Sequence, residues 1–265
     1  MDGVTDIGYW DLMMGYALLI VPIYILWHYK TGLVKDGIIA IGRMTIQLLL
    51  VGFYLEFIFE LNSIWINISW VLVMTIIAAY TTVKRSGLKH KLMFFPVFIA
   101  GVLSIGVTDA YFLGYVVKLD NMFEARYFIP ITGMLLGNTL KTIIIALGYY
   151  FKQLDKESGL FKWYLANGAT RSEALTRFKR EALKIAFNPV IAATAIVGLI
   201  SLPGMMTGQI LGGSSPNVAI KYQIMLMITV FSSSIISVII TLLISDRHVF
   251  DGMDNLKDVF RKDTK

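Results

Sequence analysis

Long apolar runs separated by short charged clusters set the pattern of this chain. A run of about 20 apolar residues crosses the roughly 30 Å hydrocarbon layer as a helix. Barrel strands would instead give segments of about 10 residues with alternating polarity, and the chain shows no such alternation. The pattern therefore predicts an all-α, polytopic membrane protein with about seven transmembrane helices. Their expected positions are Tyr9–His28, Ile38–Ile58, Ile64–Tyr80, Leu92–Val116, Tyr127–Tyr149, Pro189–Gln209 and Ala219–Ile244. Residues 1–265 read as a single transmembrane domain, because the longest polar insert, 151–188, is too short for a core of its own.

Charge orients these spans. Lys84, Arg85, Lys89 and Lys91 fill one connection, and Lys152, Lys156, Lys162, Arg171, Arg177, Lys179, Arg180 and Lys184 fill the insert. Arg247, Lys257, Arg261, Lys262 and Lys265 crowd the tail, and Lys30 and Lys35 follow the first span. The alternate connections 59–63 and 202–217 carry no Lys or Arg, and in 117–126 Lys118 and Arg126 are balanced by Asp120 and Glu124. Basic loops face the cytoplasm, which places the N-terminus outside, the C-terminus in the cytoplasm and the chain in the cell membrane. Asp2, Asp6 and Asp11, with no Lys or Arg before the first span, are unlike a signal peptide, so that span is expected to stay.

Composition then excludes more than it adds. At 56% hydrophobic the chain is close to a soluble protein, so the arrangement of apolar residues, not their number, sets the class. The formal charge of +6 does not point to nucleic acid, because the basic residues sit between apolar runs. The absence of cysteine rules out disulfides and thiolate ligands. His28, His90 and His248 are scattered without metal-ligand spacing. Gly37-x-x-x-x-Gly42-Arg43-Met44 lacks the Lys-Ser/Thr of a phosphate loop. No catalytic motif is present, so no enzyme is expected in this chain alone.

The insert is the most informative polar stretch. Thr170-Arg171-Ser172-Glu173 fits a capping box, predicting a helix from there to near Asn188, where Pro189 disfavours continuation. Leu175, Phe178, Ala182 and Ile185 form an apolar stripe, with Arg177, Arg180, Glu181 and Lys184 on a charged face. Residues 160–165 suggest a short helix before it, and Asn167-Gly168-Ala169 a tight break between the two. Two readings stand: an interfacial helix on anionic headgroups, or a coupling element that docks on a cytoplasmic motor. Gly168-Ala169-Thr170-x-x-Glu173-Ala174-Leu175, followed by Asn188-Pro189, resembles the coupling loop of ABC permeases. It departs from the importer pattern in having Lys162 about where a Glu precedes the glycine, and a longer glycine-to-proline distance.

Downstream, Gly198, Pro203, Gly204, Gly208, Gly212 and Gly213 interrupt an uncharged apolar stretch. Such backbone is tolerated at membrane depth only where protein buries it or it lines a cavity. It reads as a broken helix end or re-entrant turn near the outer face, the alternative being a surface loop. The string Leu202-Pro203-Gly204-Met205-Met206-Thr207-Gly208-Gln209-Ile210-Leu211-Gly212-Gly213, then Tyr222-Gln223, closely resembles the FetB family of iron-export permeases. Plant relatives of that family are linked to aluminium tolerance. Arg126-x-x-Ile129-Pro130-x-x-Gly133-Met134-x-x-Gly137-Asn138 and Arg43-x-x-x-Gln47-Leu48-x-x-x-Gly52 support the resemblance. It implies a homodimeric permease paired with separate FetA-type ATP-binding subunits. ATP and magnesium would then sit on those subunits, and this chain would bind no cofactor. Gly168, Ala169, Thr170, Arg171, Glu173 and Ala174 would couple the two.

Polar residues inside spans are costly and default to functional candidates. Arg43 and Gln47 fall in the inner half of the second span, and Asn138 and Lys141 near mid-depth of the fifth. With Met205, Met206, Gln209 and Gln223 they make up the expected transport pathway. Glu56, Glu60 and Asp109, with Asp120 and Glu124, suggest an acidic outer mouth suited to a departing cation. The inner cations argue for an anionic or chelated substrate. Alternatives stay open: Arg43 snorkelling to the interface, Glu56 and Asp109 as interfacial residues, and Met205 and Met206 as packing. Gly133-x-x-x-Gly137 and Gly204-x-x-x-Gly208 match small-residue packing motifs. An ion-coupled secondary transporter is the competing function, though no clear internal repeat supports it. A retinal protein would need a lysine inside the last span, where Lys221 lies only at the edge.

Overall fold

The structure, a computed structural model, describes residues 7–200 and 202–260. Asp2, Asp6, Ser201, Arg261, Lys262 and Lys265 lie outside the described residues. Helices account for nearly all of the described chain. The first span is α1 (Tyr9–Gly15) and α2 (Ile20–His28), joined by a 3-10 turn. There follow α3 (Val34–Leu61), α4 (Ile64–Arg85), α5 (His90–Asp109) and α6 (Ala125–Lys156). The remainder are α7 (Ser158–Ala166), α8 (Arg171–Ile196), α9 (Gly204–Leu211) and α10 (Pro216–Val249). Among the described residues, six helical segments are long and apolar enough to cross a membrane: Tyr9–His28, Val34–Leu61, Ile64–Arg85, His90–Val116, Ala125–Lys156 and Pro216–Val249. The chain is an all-α, multi-pass membrane protein.

Helices α4, α5, α6 and α10 pack as a bundle, with α8 laid along α6. The α5–α10 contact is the most extensive, and α10 also packs on α6. Ser233, Ser237, Thr241 and Ser245 recur every fourth residue along α10, and all are buried. Small side chains at that spacing let two backbones come together where lipid supplies no hydrophobic drive. By contrast α1–α3 stand off the bundle, and the most apolar stretches of both spans bury nothing. The end of α3 reaches it, where Ile58 packs with Ala125 and Ile129 of α6. Outward apolar faces need no protein cover in lipid.

The expected sixth span, Pro189–Gln209, is not one helix. Helix α8 does not stop at Asn188 but runs through Pro189 to Ile196. Proline removes one backbone donor and disfavours helix before it, a local preference overridden here by the buried Ala186 and Phe187 on the preceding turn. The break comes later, at Val197 in extended conformation and Gly198 at φ +87°. A left-handed φ there is what glycine permits. After it α9 is only eight residues long.

The insert was expected to lie on the membrane or a partner; instead it is built into the chain's own core. Phe161 of α7 and Ala174, Leu175, Phe178, Ala182, Ala186 and Phe187 of α8 join one cluster with Tyr150, Phe151, Leu154, Leu242 and Val249. Leu175, Phe178 and Ala182 of the expected stripe are buried, but Ile185 is 42% exposed and Ala186 takes its place. The tail folds back over the same end. The Lys89 amide donates to the Val259 carbonyl at 2.8 Å, and the Lys89 ammonium meets Asp258 at 2.7 Å. Arg171 Nε lies 2.5 Å from Asp254 Oδ1, and its guanidinium sits over the Phe250 ring. The α4–α5 connection, the start of α8 and the end of α10 are thus strapped together.

Candidate functional site

Where α8 ends and α9 begins, the broken backbone leaves an open cleft of about 580 Å³ against α6 and α10. Asn138, Lys141 and Thr142 line it from α6, Pro189 and Thr194 from α8, Met205 from α9, and Gln223 and Met227 from α10. A second cleft of about 470 Å³ shares Thr194, Pro203, Gln223 and Met227 with it and adds Met206. The local cause is the Gly-Pro chemistry of the break. Pro203 caps α9 in extended conformation, and a Cβ built on Gly204 would meet nothing within 4 Å. Nothing among the described residues packs against the Gly204 backbone at that point of the cleft wall.

The polar groups of the cleft differ in how they are held. Asn138 Nδ2 donates to the Met134 carbonyl at 2.9 Å, leaving its amide oxygen for other donors. Thr142 and Thr194 donate their hydroxyls to carbonyls one turn back, so their lone pairs remain as acceptors. Gln223 is 6% exposed, and its Oε1 is buried without a partner among the described residues. Lys141 is exposed and makes no ion pair among the described residues.

The structure thus brings together Asn138, Lys141, Met205 and Gln223, with Met206 in the adjoining cleft. It does not bring Arg43, Gln47 or Gln209 to them. Arg43 and Gln47 are exposed on α3, and Gln209 is half-buried on α9 away from both clefts. The acidic candidates also separate. Glu56 and Glu60 are exposed on α3, whereas Asp109 is 4% exposed inside the bundle. Thr132 donates to Asp109 Oδ2 at 2.6 Å, and Oδ1 is buried with no partner among the described residues. A π-helical segment, Ala110–Val116, follows at once. No group of three or more His, Asp or Glu side chains among the described residues is placed to hold a metal. Of the glycine pairs, Gly133 shows a close approach, its Cβ position lying 3.0 Å from Met74 Cε. Gly137, Gly204 and Gly208 face open space.

At the other end of α8, the expected coupling residues form an exposed tip. Gly168 turns at φ +87°, and the Thr170–Glu173 capping box is complete. The Thr170 backbone amide donates to Glu173 at 2.8 Å, and the Glu173 amide to Thr170 Oγ1 at 3.3 Å. These hydrogen bonds, the Thr170 hydroxyl's first, hold the Glu173 carboxyl below its ordinary pKa. Ala174 points into the core and Arg171 binds the tail, which leaves Gly168, Ala169, Thr170 and Glu173 as the outward surface. Missing from the sequence reading was a buried node just behind this tip. Asp246 of α10 accepts from Tyr150 of α6 at 2.7 Å and pairs with Lys179 of α8 at 2.6 Å. Asp246, closing a long apolar span, was a signal that could have found it.

The uncharacterised protein family UPF0014 matches residues 9–250. The "UPF0014 membrane protein YjkA" of Bacillus subtilis is 30% identical over 94% of this chain and 98% of its own. The "Probable iron export permease protein FetB" of Escherichia coli is 32% identical over 93% of each. "Protein ALUMINUM SENSITIVE 3" of Arabidopsis thaliana is 35% identical over 80% of this chain and 77% of its own. No solved structure matches the chain.

Proposed function

The chain belongs to the UPF0014 family, and from that membership and the cleft we propose that it is the membrane-spanning subunit of an ABC-type exporter that moves iron or another metal. The observation that carries the reading is the continuity of α8. Its 26 residues, at 1.5 Å each, make a continuous helix of roughly 39 Å. One end is the Gly168–Glu173 tip, and the other supplies Pro189 and Thr194 to the cleft. A push on the tip therefore moves the cleft wall. The named functions of relatives, iron export and aluminium sensitivity, supply the metal.

The same helix completes the proposed topology. The strap joins the α4–α5 connection, the α8 start and the residues after α10, which supports a reading in which α8 and α9 together carry the chain back before α10 begins. That makes a seventh crossing, with the N-terminus outside and the C-terminus in the cytoplasm. The cleft opens at the surface of one copy, which suits a homodimer whose second copy closes it. A separate FetA-type subunit docks on the tip and holds ATP and magnesium; this chain holds no cofactor and performs no chemistry itself.

The test is gentle affinity purification of the full chain from membranes. Recovery of an ATP-binding subunit, with hydrolysis stimulated by iron, is the expected outcome. A chain that comes out alone even after cross-linking would favour an ion-coupled secondary transporter.

A further inference from the structure

We propose that the cleft takes its metal as an anionic, oxygen-rich chelate and not as the bare cation, with Lys141 as counter-charge and Gln223 as the orienting amide. The proposal rests on the exporter reading and adds to it the chemical form of the cargo.

The donor set argues first. Lys141, Asn138, Gln223, Thr142 and Thr194 are the polar side chains of the cleft, and no Asp, Glu or His is among its lining residues. Hard cations are held by carboxylates, which replace the hydration shell with negative charge. Here a bare iron ion would trade its water for neutral amides and hydroxyls beside a lysine. Thioethers of Met134, Met205 and Met227 are present, but they favour soft cations over iron. A metal already wrapped in carboxylate oxygens escapes this problem, because its ligands are brought with it and its net charge is negative.

The unpaired groups argue second. A lysine within a membrane-spanning helix marks a functional partner by its cost, and Lys141 has no ion pair among the described residues. Gln223 is 94% buried by its 6% exposure, with an acceptor oxygen that finds no donor among the described residues. An anion that also carries a hydroxyl satisfies both. Size argues third. The cleft's 580 Å³ falls in the roughly 300–1,000 Å³ range of small-molecule pockets. Gln223 also borders the adjoining cleft, so a ligand larger than a hydrated ion has room to extend.

The experiment is equilibrium binding to the full chain in lipid nanodiscs with three separate probes: ferric citrate, ferrous ion kept reduced without chelator, and cuprous ion. Saturable binding of ferric citrate alone is expected, weakened at least tenfold in Lys141→Met and retained in Lys141→Arg. A Gln223→Leu variant, which keeps the helix packing volume, should also weaken it. Ferrous or cuprous ion bound as tightly as the chelate overturns the proposal, as does unchanged chelate binding in Lys141→Met. Citrate without metal competing on equal terms overturns it too, by making the anion the cargo. Failure of the exporter reading shows separately, as no ATP-binding subunit in the purification, whichever probe binds.

Discussion

Asp246 holds two partners with one carboxylate, the Tyr150 hydroxyl at 2.7 Å and the Lys179 ammonium at 2.6 Å, so three helices meet at one charge. The group is buried, and Lys179 keeps only 18% of its side chain exposed. Removing one partner of such a pair leaves the other charged and unpaired, which costs on the order of 3–5 kcal/mol where burial is complete and less here. Asp246→Leu should therefore lower the melting temperature in detergent more than Asp246→Leu combined with Lys179→Met does. A double variant no more stable than the single one would mean that the pair carries no buried charge. Tyr150→Phe removes only the hydrogen bond to the charged oxygen, about 1.5–3 kcal/mol, and should leave the helices in place by circular dichroism. At the buried Asp109, Thr132→Val removes the one side-chain donor to that carboxylate among the described residues. It should destabilise the chain by about 1–3 kcal/mol, while Asp109→Asn, which keeps the shape, should do so less.

At the scale of the element, α8 carries both the cap and the cleft wall. Thr170→Ala removes the hydroxyl of the capping box and should cost about 1 kcal/mol of local helix stability, read as faster amide exchange over 172–175. Because the folded-state Glu173 carboxyl titrates below its ordinary value, the cap is complete above roughly pH 4.3, the unfolded value. It is lost as pH falls through the lower folded value, so protection of these amides, measured against their intrinsic exchange rate at each pH, should fall only in acid. Much of this element was legible in the sequence: Thr170 and Glu173 announced its start, and Leu175, Phe178 and Ala182 its buried face. Its end was not, because the signal at Pro189 is a local preference, whereas the deciding contacts of Ala186 and Phe187 are with residues far along the chain. The cleft was half legible for the same reason. Asn138 and Lys141 stood out as polar residues in an apolar run, and Met205 and Gln223 through the string they belong to. Arg43 and Gln47 stood out equally, yet α3 leaves the bundle, and periodicity does not report which apolar face meets protein and which meets lipid.

The whole molecule divides into a strapped end and the cleft at the far part of α8, and on the proposed exporter function transport needs relative motion between them. Arg171 to Asp254 and Lys89 to Asp258 tie α8, α10 and the α4–α5 connection by groups that are partly exposed. Exposed pairs of this kind are individually weak, about 0–1 kcal/mol. The strap's hold comes instead from Phe250 and Val259 in the core. That combination keeps the tail in register and still lets its polar contacts exchange. The chain has no cysteine, so two introduced thiols report on one distance without background. Arg171→Cys with Asp254→Cys, joined by a short bis-maleimide, would fix the start of α8 to the tail. If the proposed exporter function holds and α8 moves as a rod relative to α10, the cross-linked protein, reconstituted with its ATP-binding subunit, should lose nearly all ATP-driven transport in proteoliposomes while each single variant keeps it. If the strap and α8 move as one body, cross-linking would leave transport intact, and the hinge would have to lie at the Val197–Gly198 break, where Gly198→Val should then abolish transport through its strained left-handed φ.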